Sequence, residues 1–487
     1  MENDLIEQRK RKMEELREQG VEPFSNDFKP AHLSSDLHDS YDALSNDELA
    51  ELNEEFSLAG RVVALRDFGK SAFFHIADRG GKIQGYIKRD VIGEEKFKFF
   101  KGYIDIGDFI GIAGALFKTK TGELTLRIES VKLLTKALRP LPEKWHGLKD
   151  VEIRYRQRYL DLISNPGVRE IFLRRARVIK LLRGFLDERG FMEVETPVLQ
   201  PIPGGAAAKP FVTHHNALDM ELYMRIAPEL YLKRLLVGGF ERVYEIGRNF
   251  RNEGISTQHN PEFTMVELYQ AYATYEDLMG LIEEMFCHIV ETLDGKTELE
   301  YQGSRVNFAR PWRRMNIIQE LESVLGAEVY RDDSKLFEKA RSMGVSHNGI
   351  RGKALEGLFE RLIGDSIVDP TFVYGFPLDI SPLARKSAGD PSVTDRFELY
   401  VAGRELANAF SELNDPIDQE ARFRAQLALK AKGEEETHPM DSDFITALEH
   451  GMPPAAGAGI GIDRLVMLVT NSPSIREVLL FPHLKPE

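Results

Sequence analysis

The chain of 487 residues is too long for one simple hydrophobic core, and its length predicts two or three domains. Hydrophobic residues make up 42% and charged residues 29%, which is ordinary for a globular protein and excludes a fibrous or wholly disordered chain. The net charge of −14 argues against a protein that coats nucleic acid through a uniformly basic surface, although a local basic segment could still contact RNA.

Residues 1–55 are predicted to form a charged, partly helical extension that Gly20 and Pro23 interrupt. Residues 56–137 differ, because short apolar runs alternate there with glycine-containing turns. Several short strands at this spacing predict a small antiparallel barrel, and a five-stranded OB barrel fits the length. The glycines in the run 110–114 suggest a strand that bends.

The barrel segment contains the neighbouring aromatic residues Phe73 and Phe74. Residues of a strand point alternately to its two sides, so we expect at least one of the two rings in the core. The other could stack on a nucleic-acid base.

Residues 151–487 are predicted to form one large α+β domain on an antiparallel sheet, after a proline-containing linker at 138–150. Apolar residues recur at helical spacing from about Val168 to Arg189, which predicts a long amphipathic helix followed by a strand. Strands and helices then alternate without a repeat or a phosphate-binding βαβ loop. Residues near 330–365 are predicted to be a helical insertion.

Eight basic residues and three acids lie between Lys132 and Arg158. On an acidic chain, such a basic stripe could supply phosphate contacts, and it would equally fit a solvated linker. The sequence leaves both interpretations open.

The compartment and the absence of a membrane span are also expectations from the sequence. The N-terminus carries early acids and no apolar run, so we expect neither a signal peptide nor a transit peptide. No stretch of about 18 or more apolar residues predicts a membrane span. The single cysteine, Cys287, can form neither an intrachain disulfide nor a cysteine-based zinc site. A reducing cytoplasm fits these features.

The segment 241–272 predicts a strand, a polar loop and a second strand. One face of the second strand carries a carboxylate and a phenol beside an aromatic ring, whereas the other face is apolar. The residues of the first face are Phe263, Met265, Glu267 and Tyr269. This face indicates a lined pocket. Arg251 ends the first strand, where it could grip a phosphate or a carboxylate through two parallel hydrogen bonds, although a solvated face would explain any one of these residues.

Two further carboxylates, Glu398 and Glu405, lie on either side of a predicted hairpin turn at Ala402-Gly403. The hairpin could return both to one patch, where they would repel each other unless a cation lay between them. Mg²⁺ carried by ATP is the natural candidate. A cationic substrate would suit the amide, the ring and the acid that share a face further along, namely Asn408, Phe410 and Glu412. An ordinary salt-bridged sheet surface is the alternative.

A glycine-rich strand runs into an apolar helix near the C-terminus. Because Gly457, Gly459 and Gly461 alternate, one face of this strand is bare, and a flat ring could lie against it. Asp463 could cap the helix, and Arg464 opens it. The spacing matches neither the dinucleotide-binding fingerprint nor the P-loop.

Together these segments resemble the signature motifs of class II aminoacyl-tRNA synthetases. FRNEG at Phe250–Gly254 is similar to motif 2, and GIGIDR at Gly459–Arg464 is similar to motif 3. The long helix and the strand ending at Pro197 resemble motif 1, which forms the dimer interface in that family. A preceding barrel is typical of the subclass that contains the lysine, aspartate and asparagine enzymes. SPLARK and GRELANAFSELNDP are similar to the bacterial-type lysine enzymes, and the resemblance covers essentially the whole chain after its first few dozen residues.

The resemblance implies that the chain activates L-lysine with ATP and transfers it to tRNA(Lys), as a homodimer whose barrel binds the anticodon. It implies Mg²⁺ as cofactor, bound by Glu398 and Glu405. The implied ATP-binding residues are Arg251, Glu253, His259, Phe263, Glu398, Glu405 and Arg464. The implied lysine-binding residues are Gly205, Glu229, Arg251, Glu267, Tyr269, Asn408, Phe410 and Glu412.

The resemblance also implies separate roles within these sets. Arg251 would hold the α-phosphate and the substrate carboxylate, and Arg464 would hold the far phosphates; these are the two catalytic residues it implies. Adenine would stack on Phe263. Gly205 and Glu229 would receive the α-amino group of lysine. Tyr269 and Glu412 would lie near its ε-ammonium group.

Three positions depart from the family pattern. Gln258 and Lys209 stand where arginine is usual, which puts a phosphate or tRNA contact in doubt at Gln258. Ala458 replaces a larger apolar residue between two motif 3 glycines.

Alternative functions follow from the same sequence. An aspartate or asparagine enzyme of this subclass would be expected to offer cationic groups where this chain has Glu267 and Glu412. The related protein that lysylates elongation factor P lacks the barrel. An RNA-binding regulator on an inactive synthetase core is a third alternative, and the presence of Arg251, Glu405 and Arg464 argues against it.

Overall fold

The computed structural model describes residues 2–142, 148–431 and 437–486. The chain divides into two compact units, residues 1–149 and 150–487. The middle of the expected linker, residues 143–147, lies outside the described residues. Within the described ranges, no helix is long and apolar enough to cross a membrane.

The first unit begins with helices and continues into a barrel. Its helices are α1 (Glu2–Glu18), α2 (Ser34–Tyr41), α3 (Asn46–Glu51), α4 (Arg89–Ile92) and α5 (Glu94–Tyr103). Within residues 2–142, five strands close into a barrel in the order β1-β2-β3-β5-β4. They are β1 (Phe56–Asp67), β2 (Ser71–Ala77), β3 (Lys82–Lys88), β4 (Phe109–Lys118) and β5 (Leu124–Thr135). The predicted five-stranded barrel is therefore confirmed.

The barrel bends and packs as the sequence indicates. The register of β4 against β5 shifts between Ala113 and Gly114, and a Cβ on Gly114 would come 1.9 Å from the carbonyl oxygen of Arg127. Only glycine allows this close approach of two strands. Phe74 is fully buried, whereas Phe73 lies half-buried with its ring 4.6 Å from that of Tyr86. The expected alternation of the two rings is confirmed.

A buried ion-pair cluster joins β5 to the loop that precedes β4. The fully buried ammonium group of Lys136 lies 2.5 Å from Asp105 and 2.7 Å from Asp108. Lys12 on α1 pairs with Asp105 at 2.8 Å. Two lysines therefore neutralise two aspartates.

The second unit is a mixed α+β structure. Its helices are α6 (Val151–Arg156), α7 (Arg158–Ser164), α8 (Pro166–Asp187), α9 (Glu229–Val237), α10 (Tyr275–Asp294), α11 (Ile317–Leu325), α12 (Ala327–Arg331), α13 (Asp333–Ser342), α14 (Arg351–Leu362), α15 (Pro416–Ala431), α16 (Ser442–Glu449), α17 (Ile462–Val469) and α18 (Ile475–Val478). Its strands are β6 (Met192–Glu193), β7 (Leu199–Gln200), β8 (Val212–His215), β9 (Met220–Met224), β10 (Arg242–Phe250), β11 (Glu262–Ala271), β12 (Glu298–Tyr301), β13 (Ser304–Asn307), β14 (Arg313–Asn316), β15 (Thr371–Tyr374), β16 (Arg396–Val401), β17 (Arg404–Ser411) and β18 (Ala455–Gly461). Short 3₁₀ turns lie at Gly364–Ser366 and Leu378–Ile380.

One large sheet organises this unit. Among its described residues, eight strands run in the order β14-β15-β16-β17-β18-β11-β10-β6. The pairs from β15 to β10 are antiparallel, and only the edge pairs β14–β15 and β10–β6 are parallel. The expected antiparallel sheet is confirmed. Smaller sheets are formed by β7-β9-β8 and by β12-β13.

The two faces of the large sheet differ in character. Buried apolar residues on one face, such as Val266 and Leu268, pack with α8, α10 and α17 into the main hydrophobic core. Carboxylates, amides and aromatic rings occupy the opposite face.

The helix α8 begins two residues before the predicted Val168, and Gly190 in the left-handed region follows its end. The strand expected after it is shorter than predicted, since β6 pairs only through Met192 and Glu193.

The predicted insertion near 330–365 corresponds to α12, α13 and α14, which pack beside the sheet edge. Buried residues of α13 and α14 form a separate hydrophobic cluster with residues of β14 and β15, among them Leu336, Leu355, Met315 and Val373. This cluster fixes the position of α14, whose acidic side chains reach the polar face of the sheet.

Most of the basic stripe consists of ion pairs within the fold. In the first unit, Lys136 pairs with aspartates as described. In the second unit, Arg158 is fully buried and lies 2.6 Å from Asp161, to which Arg154 also donates at 2.9 Å. For these three basic residues, both the phosphate-contact and the solvated-linker interpretations are wrong.

We expect Lys136→Met to weaken the barrel strongly, because it leaves the buried carboxylate of Asp108 without its cation. Breaking a buried ion pair from one side costs about 3–5 kcal/mol. Hydrogen-exchange mass spectrometry of the whole chain should show faster exchange in the peptides of β4 and β5. The matched control is Lys132→Met, which removes an exposed lysine paired with Asp27 and should leave that exchange unchanged. Equal exchange in both variants would contradict the structural role of Lys136.

Candidate active site

A cavity of about 670 Å³ lies on the polar face of the large sheet. Every residue that the sequence assigned to ATP or lysine contributes to its lining except Glu412. Its floor is formed by β11, β16, β17 and β18, and its sides by the β10–β11 loop, by α14 and by the start of α9. The site is thus built on rigid elements.

The alternation on β11 divides pocket from core as predicted. Phe263, Met265, Glu267 and Tyr269 line the cavity. Val266 and Leu268, which point the other way, are fully buried in the main core. Both edges of β11 are paired, with β10 and with β18, so this polar face is held by a continuous hydrogen-bond ladder.

One end of the cavity is suited to an anion. The Nε atom of Arg251 is buried and has no hydrogen-bond partner among the described residues. Its guanidinium lies 5.1 Å from the centroid of the Phe263 ring. Burial lowers the pKa of Arg251, although nearby glutamates, Glu253 first among them, oppose the shift. A buried donor without a partner is costly, and a phosphate or carboxylate group would satisfy it.

Arg464 provides a second cation at this end. It donates to the carbonyl oxygen of Glu405 at 2.5 Å, and it lies 3.3 Å from the Glu405 carboxylate. Its other terminal nitrogen lies 3.4 Å from Nε2 of His259. These contacts bring together the polar loop, β17 and α17, which are far apart in sequence.

A β-bulge brings Glu398 and Glu405 to one face. The register of β16 against β17 shifts after Leu399, so that Tyr400 lies opposite Glu405 instead of Leu406. This extra residue turns Glu405 to the side of the sheet that carries Glu398 and the Asn408 opposite it. The turn itself has left-handed Ala402 and Gly403, as a hairpin of this type requires.

The two carboxylates fit a divalent cation that a ligand helps to bind. Burial raises the pKa of Glu398 well above its usual range, and the charge of Glu405 raises it further. Arg396 donates to one oxygen of Glu398 at 2.6 Å, and the hydroxyl of Tyr400 donates to the other at 3.2 Å. Among the described residues, no group of three or more acids, histidines or cysteines is placed to hold a metal alone. This incomplete set suits Mg²⁺, which takes its remaining oxygens from phosphates and water.

The opposite end of the cavity is acidic and deeply buried. The carboxylates of Glu229, Glu267 and Glu412 are each 6% exposed or less. Lys233, on α9, lies 2.6 Å from Glu229 and 2.5 Å from Glu412. Tyr269 donates to Glu267 at 3.1 Å. Glu412 therefore lies behind the lining of the cavity, with Lys233 against its carboxylate.

These acids hold protons when no further cation is near. Burial raises the pKa of Glu267 to about 8, and the charge of Glu229 adds to the effect. Burial likewise raises the pKa of Glu412 to about 8, against the attraction of Lys233. For Lys233 itself, burial would lower the pKa, but the charges of Glu229 and Glu412 outweigh it and raise the pKa. Lys233 thus stays charged, and Glu229 and Glu412 share its one ammonium group.

Close backbone approaches shape both ends of the acidic region. Gly205 has a φ of +86°, and a Cβ there would come 2.9 Å from the Cβ of Glu229. A Cβ on Gly457 would come 2.3 Å from the ring of Tyr269 and 2.4 Å from Glu412. The bare face predicted for the glycine strand is therefore filled by these two side chains at Gly457. At Gly459, the terminal methyl of Met265 lies 3.0 Å from the position of a Cβ, and only Gly461 has no contact closer than 3.7 Å.

The predicted cap by Asp463 is wrong. The helix α17 begins at Ile462 without a side-chain cap. The buried carboxylate of Asp463 instead accepts a hydrogen bond from the Thr264 backbone at 2.7 Å and pairs with Arg175 at 2.6 Å. It ties β11 to α8 and α17.

The three departures occupy different surroundings. Gln258 lines the cavity from the exposed β10–β11 loop. The carbonyl oxygen of Lys209 accepts a hydrogen bond from the backbone of Asn252 at 2.8 Å, an interaction independent of the side chain. Ala458 is buried in the main core, opposite Leu268 and Ala409.

Sequence reasoning missed six charged residues at the site: Lys233, Lys353, Glu356, Glu360, Asp379 and Arg396. Arg396 carried a signal, because it shares a strand face with Glu398. Lys233 follows Glu229 by four residues, a spacing that usually marks an exposed ion pair on a helix. Glu356 and Glu360 lie on α14, in the segment expected to be an insertion.

Comparisons with known proteins agree with this geometry. Residues 150–485 match the family described as tRNA synthetases class II (D, K and N), and residues 56–134 match the family described as OB-fold nucleic acid binding domain. The chain belongs to this class II tRNA synthetase family.

The similar proteins carry a more particular name. The chain is 53% identical to the lysine--tRNA ligase of Carboxydothermus hydrogenoformans, over 99% of this chain and 98% of that protein. It is 50% identical to the lysine--tRNA ligase of Bacillus subtilis, over 99% and 97% of the two chains. It is 51% identical to that of Moorella thermoacetica, over 100% and 99%.

Proposed function

We propose that this protein is an enzyme that activates L-lysine with ATP and transfers the lysyl group to tRNA(Lys). The observation that carries the proposal is a cavity with opposite ends. At one end lies Arg251, whose buried Nε has no hydrogen-bond partner among the described residues, and three buried carboxylates lie at the other. Free lysine has the matching pattern of one carboxylate and two ammonium groups. The full-length relatives named lysine--tRNA ligase support the same substrate.

The lysine contacts follow from this polarity. Arg251 would hold the substrate carboxylate, while Gly205 and Glu229 receive the α-amino group. Tyr269 and Glu412 would lie near the ε-ammonium group, with Glu412 acting from behind the lining together with Lys233. The remaining walls of this subsite would be Glu267, Asn408 and Phe410.

The ATP contacts would occupy the cationic end. The ring of Phe263 would stack on adenine, and Glu253 and His259 on the β10–β11 loop would complete the nucleotide site. Arg251 would contact the α-phosphate and Arg464 the far phosphates. Glu398 and Glu405 would hold Mg²⁺, which neutralises charge on the phosphates when it is bound.

The chemistry needs no nucleophile from the protein. The lysine carboxylate attacks the α-phosphorus of ATP, the bond to the bridging oxygen breaks, and pyrophosphate leaves. The terminal hydroxyl of the tRNA then takes the lysyl group and releases AMP. The protein contributes by holding the reactants in line and by placing Arg251 against the charge that develops on the α-phosphoryl oxygens.

The partners and the location belong to the same proposal. The barrel at 56–137 would bind the anticodon, as an OB-type fold suits single-stranded RNA. A homodimer would cover apolar side chains that lie exposed from α6 to β8, among them Val151, Ile153, Leu173, Met192, Val198, Leu199 and Val212. We further propose that the enzyme acts in the cytoplasm.

An aspartate or asparagine substrate fits the acidic end poorly. The buried cations nearest to it are already paired, Lys233 with two glutamates and Arg396 with Glu398. The side chain of aspartate would add a fourth negative charge to the region, and burial makes such a charge costly. The neutral amide of asparagine would bring no positive charge to these acids.

We expect Arg251→Ala to lower lysine-dependent exchange of pyrophosphate into ATP by about 10²–10³-fold, because the transition state loses a charged hydrogen-bond donor. The matched control is Arg248→Ala on β10, three residues before Arg251, where an exposed arginine pairs with Glu262 away from the cavity. That variant should exchange at nearly the wild-type rate. An Arg251→Ala enzyme as fast as this control would remove Arg251 from the reaction.

We expect the KM for lysine to fall as the pH rises from 7 to 8. Glu267 and Glu412 both have a pKa raised to about 8, so they hold protons below that pH and bind an ammonium group best above it. Each proton released on binding makes KM change by up to about tenfold per pH unit. Steady-state exchange at varied lysine and saturating ATP measures this dependence. A lysine KM that is flat or rises over this range would refute the assignment of these acids to ammonium binding.

A further inference from the structure

Lys233 carries a positive charge in the acidic region, and the proposed mechanism gives it no contact with the substrate. Its side chain is fully buried on α9, and its ammonium group bridges Glu229 at 2.6 Å and Glu412 at 2.5 Å. The same group lies 5.2 Å from the centroid of the Phe410 ring. The lysine therefore joins a helix to β17 directly behind the wall of the cavity.

The charges around this lysine do not balance. Three carboxylates, those of Glu229, Glu267 and Glu412, lie buried together, while one buried ammonium group faces them. Arg225, which also acts on Glu267, forms an ion pair with Glu245, and Arg396, which acts on Glu229, pairs with Glu398. Arg251 also acts on Glu267, and the proposed function assigns it to the substrate carboxylate. With Arg251 set against that carboxylate, the three acids and Lys233 leave two negative charges without a cation.

The Lys136 cluster of the first unit shows the balanced arrangement for comparison. There, a fully buried lysine also bridges two carboxylates, at 2.5 and 2.7 Å, but a second lysine, Lys12, pairs with Asp105, and the charge of Arg61 also acts on Asp108. A cluster that only stabilises the fold is therefore not short of cations in this protein. The missing positive charge beside the cavity points to a ligand that brings two positive charges.

We propose that Lys233 is a positioning residue that acts as a built-in counter-ion. It fixes Glu229 and Glu412 and sets the residual charge of the pocket to minus two, which matches the two ammonium groups on lysine. This inference rests on the proposed function and deepens it. Without a ligand, protons bind to the carboxylates in place of the two missing cations. Lysine displaces them when its ammonium groups enter.

The pH dependence of this device involves several groups around Lys233. They are Glu229 on its own helix, Glu267 and Tyr269 on β11, Arg396 on β16, Phe410 on β17, Glu412 directly after β17, Arg225 after β9, Arg251 after β10, and His438 after α15. Burial lowers the pKa of His438 to about 4, and the charge of Lys233 lowers it further, so this histidine stays neutral in the working range. The acids are the groups that titrate.

The test is Lys233→Met, which keeps the length and apolar character of the side chain and removes the charge. Losing the cation raises the pKa of the neighbouring acids, so the pH at which the lysine KM falls should move up by about one unit or more. At pH 7.5 we expect the lysine KM to rise about tenfold or more, while the KM for ATP stays nearly unchanged. Lys233→Arg keeps the charge. It should therefore keep the wild-type pH midpoint, which is the pH at which the lysine KM falls.

Lys136→Met serves as the matched control, because it removes an equally buried lysine from the other unit. It should leave the pH dependence of lysine activation unchanged even where it lowers stability. The inference is overturned if Lys233→Met raises both KM values together without moving the midpoint, or if Lys233→Arg shifts the midpoint as far as Lys233→Met does. If circular dichroism shows that Lys233→Met does not fold, the pH dependence of the lysine KM in Lys233→Arg decides the test. Absence of lysine-dependent exchange in the wild type would instead refute the proposed function.

Discussion

The repulsion among three buried carboxylates governs this site. Glu229, Glu267 and Glu412 lie almost without solvent on the polar face of a sheet whose other face is the main core. Buried charges of one sign cannot stay ionised together unless cations join them. Lys233 supplies one cation, and the remaining deficit makes the pocket selective for a ligand that brings positive charge. The same free-energy cost that destabilises the empty site becomes binding energy when the ligand enters.

Rigid surroundings are needed to keep these carboxylates together. The strand β11 is hydrogen-bonded on both edges, and Asp463 ties it to α8 and α17 through Thr264 and Arg175. Glycine at 457 leaves the space that Tyr269 and Glu412 occupy. At the cationic end, the β-bulge after Leu399 sets the second pair of carboxylates beside Arg251 and Arg464. The fold thus places arginines that suit an anion and buried carboxylates that suit a cation within one cavity.

Local pattern was sufficient to predict much of this structure, and long-range pairing explains what it missed. The two-residue period of β11 correctly separated Glu267 and Tyr269 from the core, and the hairpin correctly joined Glu398 to Glu405. The β-bulge that turns Glu405 to the face of Glu398 depends on strand register, and no local sequence pattern predicts it. Lys233 follows Glu229 at a spacing typical of an exposed helical ion pair, and only the tertiary packing of α9 buries it against Glu412. The expected cap by Asp463 failed because a buried partner, Arg175, outcompeted the helix terminus.

The central claim, a cavity that selects an amino acid with two ammonium groups for activation by ATP, is tested most directly without tRNA. The measurement is exchange of pyrophosphate into ATP by the full-length chain, with lysine, ornithine, arginine, aspartate and asparagine offered separately. The charge pattern of the pocket predicts fast exchange with lysine, and none with aspartate or asparagine. Exchange that aspartate or asparagine supports would contradict the assignment of the acidic end, and exchange with no amino acid would favour an RNA-binding regulator on an inactive core.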